Sequence, residues 1–291
     1  MVTDVWTDAI RQQLGLGRIL PLGGPDDGAW ITERAASDVL RLAADRLRGV
    51  RTGRIRLSLA DPGAADEPAV PPPASALPPG LLRVEAEFAA WTRQPLPETA
   101  ERLRELLLAS AEHDVGLEAR AVDLRVTDLL DSEPGAGEQP GQHGRGGDEQ
   151  GPDGRADREQ TGDEQQNDGR DRDAAEPGSE GEPGSEKQRG DAGQESRQSE
   201  PDTVRHVTDA VVAVPGVTRL APALGRLGRA VRIRDEEQPQ RRHVEVQLAT
   251  ALSHRTLDVA RAVRSAVTAA AAADTAVTVT VAVLVTAVEQ P

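Results

Sequence analysis

The chain has 291 residues and no cysteine. Disulfide staples, thiolate metal sites and a cysteine nucleophile are therefore excluded. Tyrosine is also absent, and the aromatics reduce to one Phe and three Trp. Any core must then be built from Val, Leu, Ile and Ala, and stacking platforms for single-stranded nucleic acid are missing. Lysine occurs once, at Lys187, so positive charge is almost entirely arginine, which reads as compositional bias more than as a binding device. Acidic residues outnumber basic ones by 49 to 34, for a formal net charge of -15. That balance opposes phosphates and anionic lipid headgroups.

Long hydrophobic runs are lacking too. The best membrane candidate, Ala276 to Val288, falls short of the roughly 20 residues a helical span needs. It alternates Val with Thr, as a strand does. Near the N-terminus, Asp4 stands where a secretory signal would carry basic residues. The expectation is a cytoplasmic chain with no direct membrane insertion and no cofactor.

The clearest positive feature lies between Ser132 and Asp202. No Ile, Leu, Val, Met or aromatic residue occurs there, and Gly, Glu, Asp, Gln, Arg, Pro and Ser fill the stretch. Glu176-Pro177-Gly178-Ser179-Glu180 is echoed by Glu182-Pro183-Gly184-Ser185-Glu186. Such a segment buries too little apolar surface to offset an ordering cost of about 1–2 kcal/mol per residue. It reads as a disordered acidic linker over 132–202. The chain then divides into an N-terminal helix with a Gly-rich turn (1–28), a first domain (29–131), the linker, and a second domain (203–291).

In the first domain, Ala36, Val39, Leu40, Ala43 and Leu47 recur at helical spacing, with Thr32 as N-cap and Gly49 as stop. Arg54 to Leu59 alternates as a half-buried strand. A proline-rich excursion follows, from Pro68-Ala69-Val70-Pro71-Pro72-Pro73 to Pro78-Pro79-Gly80. Leu82, Val84, Ala86 and Phe88 mark a second strand. Pro97 opens a helix with Ala100, Leu103, Leu107 and Ser110 on one face. Val115 to Leu129 reads as a third strand, with a phase slip that predicts a β-bulge near Ala121.

After the linker the order returns. Asp202 is the expected cap of a helix bearing Val204, Val207, Val211 and Val214, which must end before Pro215. Val231 and Ile233 mark a strand, a polar turn runs through Glu236 to Gln240, and Val244, Val246 and Leu248 mark the next strand. Val259, Val263 and Val267 lie on a second helix, and Val277 to Val285 alternate in a last strand. Gly49-Val50 answers Gly216-Val217, and Arg83 to Phe88 answers His243 to Leu248. The reading is a divergent tandem duplication. The fold class is α/β (two-layer α+β): two related domains of order α-β-β-α-β, each a three-stranded sheet with two helices on one face.

Val214-Pro215-Gly216-Val217, the strand Val244 to Leu248, Leu257 to Val263 and the final Val-rich strand make the C-terminal half resemble the alkaline shock protein family, the envelope stress response proteins of Gram-positive bacteria. The N-terminal half, through Gln13 to Pro25 and Gly28-Ala29-Trp30-Ile31, resembles an actinobacterial group found with that family and sometimes labelled nucleopolyhedrovirus-type. The resemblance implies a role in association and no agreed reaction. Its implied partners are proteins, a membrane-anchored family member among them, or further copies of the chain.

Candidate sites are few. Five histidines, His113, His143, His206, His243 and His254, show no metal-ligand spacing. The run Gly15 to Gly24 lacks the Gly-Lys-Ser/Thr ending of a phosphate loop and reads as a turn. Val70, Pro71, Pro72 and Pro73 are a candidate docking loop of polyproline type, or only a connection between strands. The expectation is a non-catalytic scaffold or interaction protein. The alternative is a KH-like nucleic-acid-binding module, suggested by element order, although no Gly-X-X-Gly clamp or basic surface accompanies it.

Overall fold

The computed structural model of the chain describes residues 15–131, 192–223, 228–236, 241–272 and 278–290. The expected helix around Val5 and Ile10, residues 132–191 of the expected linker, and most of the Glu236 to Gln240 turn lie outside the described residues. The protein is mixed α+β.

Thr32 starts helix α1 (Glu33–Ala44) as expected: its hydroxyl accepts from Ala35 N at 3.3 Å. Ala36, Val39, Leu40 and Ala43 are buried along that helix. Strands β3 (Val50–Leu59) and β4 (Leu82–Trp91) pair antiparallel, and β5 (Ala119–Leu130) adds to β4 in parallel. Helix α2 (Leu96–Ser110) carries Pro97 in its first turn and buries Leu103, Leu107 and Ser110. The third strand begins at Ala119, not at Val115. A π turn over Ala111–Val115 intervenes, in which Ala111 O collects both Gly116 N (2.9 Å) and Leu117 N (2.8 Å). Those two bonds reverse the chain before a strand can start. The expected bulge is present: Leu82 faces Ala119 and Arg83 faces Ala121, so Arg120 is passed over.

The second half repeats this plan. Helix α3 (Ala192–Val212) leads to β6 (Val217–Leu220), β7 (Val231–Glu236), β8 (Arg241–Ala251), helix α4 (Thr256–Ala272) and β9 (Thr278–Glu289). Helix α3 begins well upstream of the expected cap Asp202, inside the span assigned to the linker. The apolar pattern marks only the turns that carry Val207 and Val211, both fully buried. Short β6 has no clear signature in the sequence pattern. It and β7 both pair antiparallel with β8, so they act as one interrupted strand in the place of β3.

Pairing registers match the two halves residue by residue at several points. Val84 faces Val122 and Val244 faces Val281; Phe88 faces Val126 and Leu248 faces Val285. Both parallel pairs slip at the same place, after Phe88 and after Leu248. Trp91 N donates to Gly49 O and Ala251 N to Gly216 O, each at 2.8 Å.

The two halves were expected as domains on a bridge, each with its own three-stranded sheet. The first does form a three-stranded sheet, β3-β4-β5, but the second lies in a six-stranded one. Residues of the Gly-rich run form β1 (Ile19–Pro21), which pairs antiparallel with β2 (Ala29–Thr32), and β2 pairs parallel with β9. Every residue of β2 is buried. A strand of Ala-Trp-Ile-Thr hidden on both faces needs cover on both, and β9 supplies its neighbour. Helix α1 touches β3 of one sheet and β9 of the other. One continuous core joins Leu40, Leu57 and Phe88 to Val244, Val263 and Val283. The described residues on both sides of the gap thus belong to one compact unit.

Candidate functional site

The Gly-Val residues singled out in the sequence lie at two equivalent corners. Gly49 and Gly216, with φ of +82° and +91°, each end a helical turn and deliver Val50 and Val217 into the first strand of a repeat. Val214 is buried and Pro215 exposed. The geometry makes Val214, Pro215, Gly216 and Val217 structural residues, which turn the chain between helix and strand.

The proline-rich segment is occupied within the molecule. Val70 is buried against Trp30, Ala282 and Leu284, forming a second small core on the outer side of the six-stranded sheet. Ala69 N donates to Pro25 O at 3.1 Å, and Leu77 N to Ile19 O at 2.8 Å. Pro73 is buried as well, leaving Pro71 and Pro72 exposed. The excursion from the first repeat therefore covers the sheet of the second, which explains why β9 is buried on both faces near Leu284.

A cleft of about 540 Å3 opens beside this cover, with Arg18, Glu33, Arg56, Arg232, Glu245 and Gln247 among its lining. Several of its polar groups are held by the main chain or by one another. Glu33, 4 % exposed, accepts from Leu57 N at 3.0 Å and from Arg18 N at 3.2 Å. Arg18 Nη1 donates to Leu57 O at 3.0 Å. Gln247 accepts from Ala223 N at 2.7 Å and donates to Glu245 at 2.8 Å. These bonds fasten β1 and the chain after β6 to neighbouring strands, and buried polar groups so paired are structural ones.

The repeats are also tied electrostatically. Asp27, in the β1–β2 connection, receives Arg261 Nε at 2.7 Å and Nη2 at 3.0 Å, and Gly24 N at 2.8 Å. Burial pushes the Asp27 carboxyl up, but the Arg261 bond, the Gly24 N–H and the charges of Arg261 and Arg264 outweigh it and hold the carboxyl below its usual range.

His113, His206 and His254 are exposed, and His243 Nδ1 lies 3.0 Å from Thr280 Oγ1; His143 lies outside the described residues. Among the described residues no cluster of three His, Cys, Asp or Glu side chains is placed to hold a metal ion. Among them, too, no helix is long and apolar enough to cross a membrane.

A further feature escapes sequence reading because it depends on which strands meet. The outer edge of β9 is covered by β2: Val283 N donates to Gly28 O at 3.0 Å. The equivalent edge belongs to β5, and no strand of the described residues lies beyond it. Val126 is 38 % exposed where its counterpart Val285 is 0 % exposed, and Leu129 is 54 % exposed. The outer face of the same sheet is a lattice of charge, with Arg83 3.2 Å from Asp123 and Arg125 3.8 Å from Glu87. Val126 and Val285 are the same residue type in sequence, and only the strand pairing separates their exposures.

Compared with protein families, curated proteins and solved structures, the chain matches none.

Proposed function

We propose that the chain is a non-catalytic interaction protein that acts by associating with other protein chains, in the setting of bacterial envelope stress. The observation that carries this reading is the unequal treatment of two equivalent sheet edges. The β9 edge is closed by β2, whereas among the described residues no strand pairs with the outer edge of β5, a strand of 12 residues with exposed Val126 and Leu129. Edges of that length in stable proteins are normally blunted or covered, because they pair readily with another strand. The envelope setting rests on the resemblance of the Val214 to Val217 corner and the Val-rich strands to the alkaline shock protein family. A net charge of -15 opposes direct attraction to anionic lipids, so recruitment to a membrane runs through an anchored protein partner, and the chain itself is cytoplasmic.

The test pairs two measurements. Purified chain should not bind anionic liposomes, and in its native cells it should co-fractionate with membranes in a way that survives salt but not removal of membrane proteins. Direct salt-sensitive binding of the pure chain to liposomes, or a micromolar, salt-sensitive complex with RNA or DNA in a gel shift, would overturn the reading.

A further inference from the structure

We propose that the partner of the β5 edge is a second copy of β5, paired antiparallel about a twofold axis through Leu124. This names the partner for the association surface above and rests on that reading.

The backbone directions follow from the internal repeat. In β9, Val283 N points outward and is bonded to β2. Its counterpart in β5 is Leu124, since Val122 answers Val281 and Val126 answers Val285. The outward peptide groups of β5 are therefore those of Val122, Leu124 and Val126. Arg104 agrees with this: from helix α2 its Nε reaches the edge and donates to Val122 O at 3.2 Å. Pairing replaces that bond with one from Val126 N of the second copy and leaves Arg104 to Glu101, with which it is already paired.

The side chains select the register. With Leu124 opposite itself, Val122 meets Val126 twice across the axis, and the exposed Val126 and Leu129 face Val122 and Ala119. On the outer face Asp123 meets Arg125 twice. Each of these charges already has an opposite neighbour on β4, Arg83 for Asp123 and Glu87 for Arg125. Directly across the four strands the row reads Glu85, Asp123, then Arg125 and Glu87 of the second copy, and the reverse; Asp123, which faces Glu85 in its own sheet and meets Arg83 only diagonally, thereby gains a cation directly opposite. Arg120 and Asp128 meet next. The adjacent registers that keep matching faces together place Asp123 opposite Asp123, or Arg125 opposite Arg125. Like charges directly opposite destabilise a strand pair, so the charge pattern admits one register and penalises its neighbours. Exposed pairs add little affinity individually; their contribution is specificity, while the main-chain bonds and the covered valines hold the pair.

The experiment is sedimentation of the full chain, with D123R and R125D each alone and mixed. Both side chains are exposed, Asp123 at 58 % and Arg125 at 80 %, so the variants should keep the wild-type circular dichroism. Wild type should sediment as a dimer. Each variant alone sets like charges opposite and should weaken dimerisation roughly tenfold or more. In an equimolar mixture, a D123R chain presents only positive charge at these positions and an R125D chain only negative. Opposite charges then face each other again throughout, and a dimer containing one chain of each should be recovered. A wild-type monomer at the highest soluble concentration, variants that dimerise like wild type, or a mixture that does not recover would each overturn the proposal. If the chain is monomeric yet still co-fractionates with membranes through a protein, this inference fails and the broader function stands. If it dimerises with the expected charge dependence but binds liposomes directly, the broader function fails and the β5 pairing stands.

Discussion

Thr32 Oγ1 donates to the main-chain oxygen of Thr286 at 3.2 Å while accepting from Ala35 N at 3.3 Å. One hydroxyl therefore both caps the first helix of the first repeat and ties that repeat to the last strand of the second. Thr286 continues the chain of bonds, its own hydroxyl donating to Ala221 O at 2.7 Å. All these groups are buried, where an unmet donor or acceptor is costly.

Substituting Thr32→Val should cost about 2 kcal/mol, roughly one for the cap and one for the bond to Thr286. Thr32→Ser keeps both contacts and should cost much less. Because the repeats share a core, urea unfolding of the wild type should be a single transition followed identically by circular dichroism and tryptophan fluorescence. Two separated transitions would contradict the shared core.

The two corner glycines should respond unequally to alanine. Both occupy a left-handed conformation that costs an L-residue about 1–2 kcal/mol. A Cβ on Gly216 would also lie 2.7 Å from Val259 Cγ2 and 3.0 Å from the His254 ring, both held in place by helix α4 and its approach. On Gly49 the nearest atom is Gln94 Oε1 at 2.9 Å, the end of a flexible side chain that moves aside. Thermal denaturation should therefore show G216A clearly less stable than G49A. Equal losses would mean that the second corner adjusts as freely as the first.

Asp27 predicts a pH dependence. Burial raises its carboxyl, but the bonds from Arg261 and Gly24 N with the nearby arginine charges hold it below the usual range, so folding favours the ionised form. Its contribution is complete above the ordinary aspartate value of about 3.9 and is lost as pH falls through the lower value of the folded state. Arg261 is half exposed, which limits the pair to about 1 kcal/mol. Asp27→Asn should lower the urea midpoint at pH 7, and the gap to wild type should close toward pH 3. A gap that persists undiminished in acid would show that Asp27 acts through its shape and not its charge.

Much of the fold is legible in the chain. Thr32 as cap, Pro97 as helix opener, the alternation of Leu82 to Phe88 and the slip near Ala121 are local signals, each decided by the chemistry of a few neighbouring residues. The repeat is legible for the same reason: Gly49-Val50 and Gly216-Val217 mark the same corner because only glycine adopts that backbone cheaply. The start of α3 is hidden because its first turns carry no apolar face. The π turn before β5 is hidden because it depends on where Ala111 O finds its donors.

The elements that the two repeats share, their order and the apolar faces of their helices and strands are contained in the chain alone, since they follow from periodicity, caps and turn residues; β1, β2 and β6 are not, being short strands made by the neighbours they pair with. Which edges meet is settled only by the assembled fold. Ala29 to Thr32 can be seen as apolar but not as the neighbour of β9, and Val70 can be seen as proline-flanked but not as the cover of Trp30 and Leu284. Strand pairing across a large sequence separation is set by the summed burial of a whole sheet, which no local window contains. Hence Val126 and Val285, matched in sequence pattern, differ in exposure, 38 % against 0 %: one strand gained a neighbour from near the start of the chain, and the other has no such neighbour among the described residues.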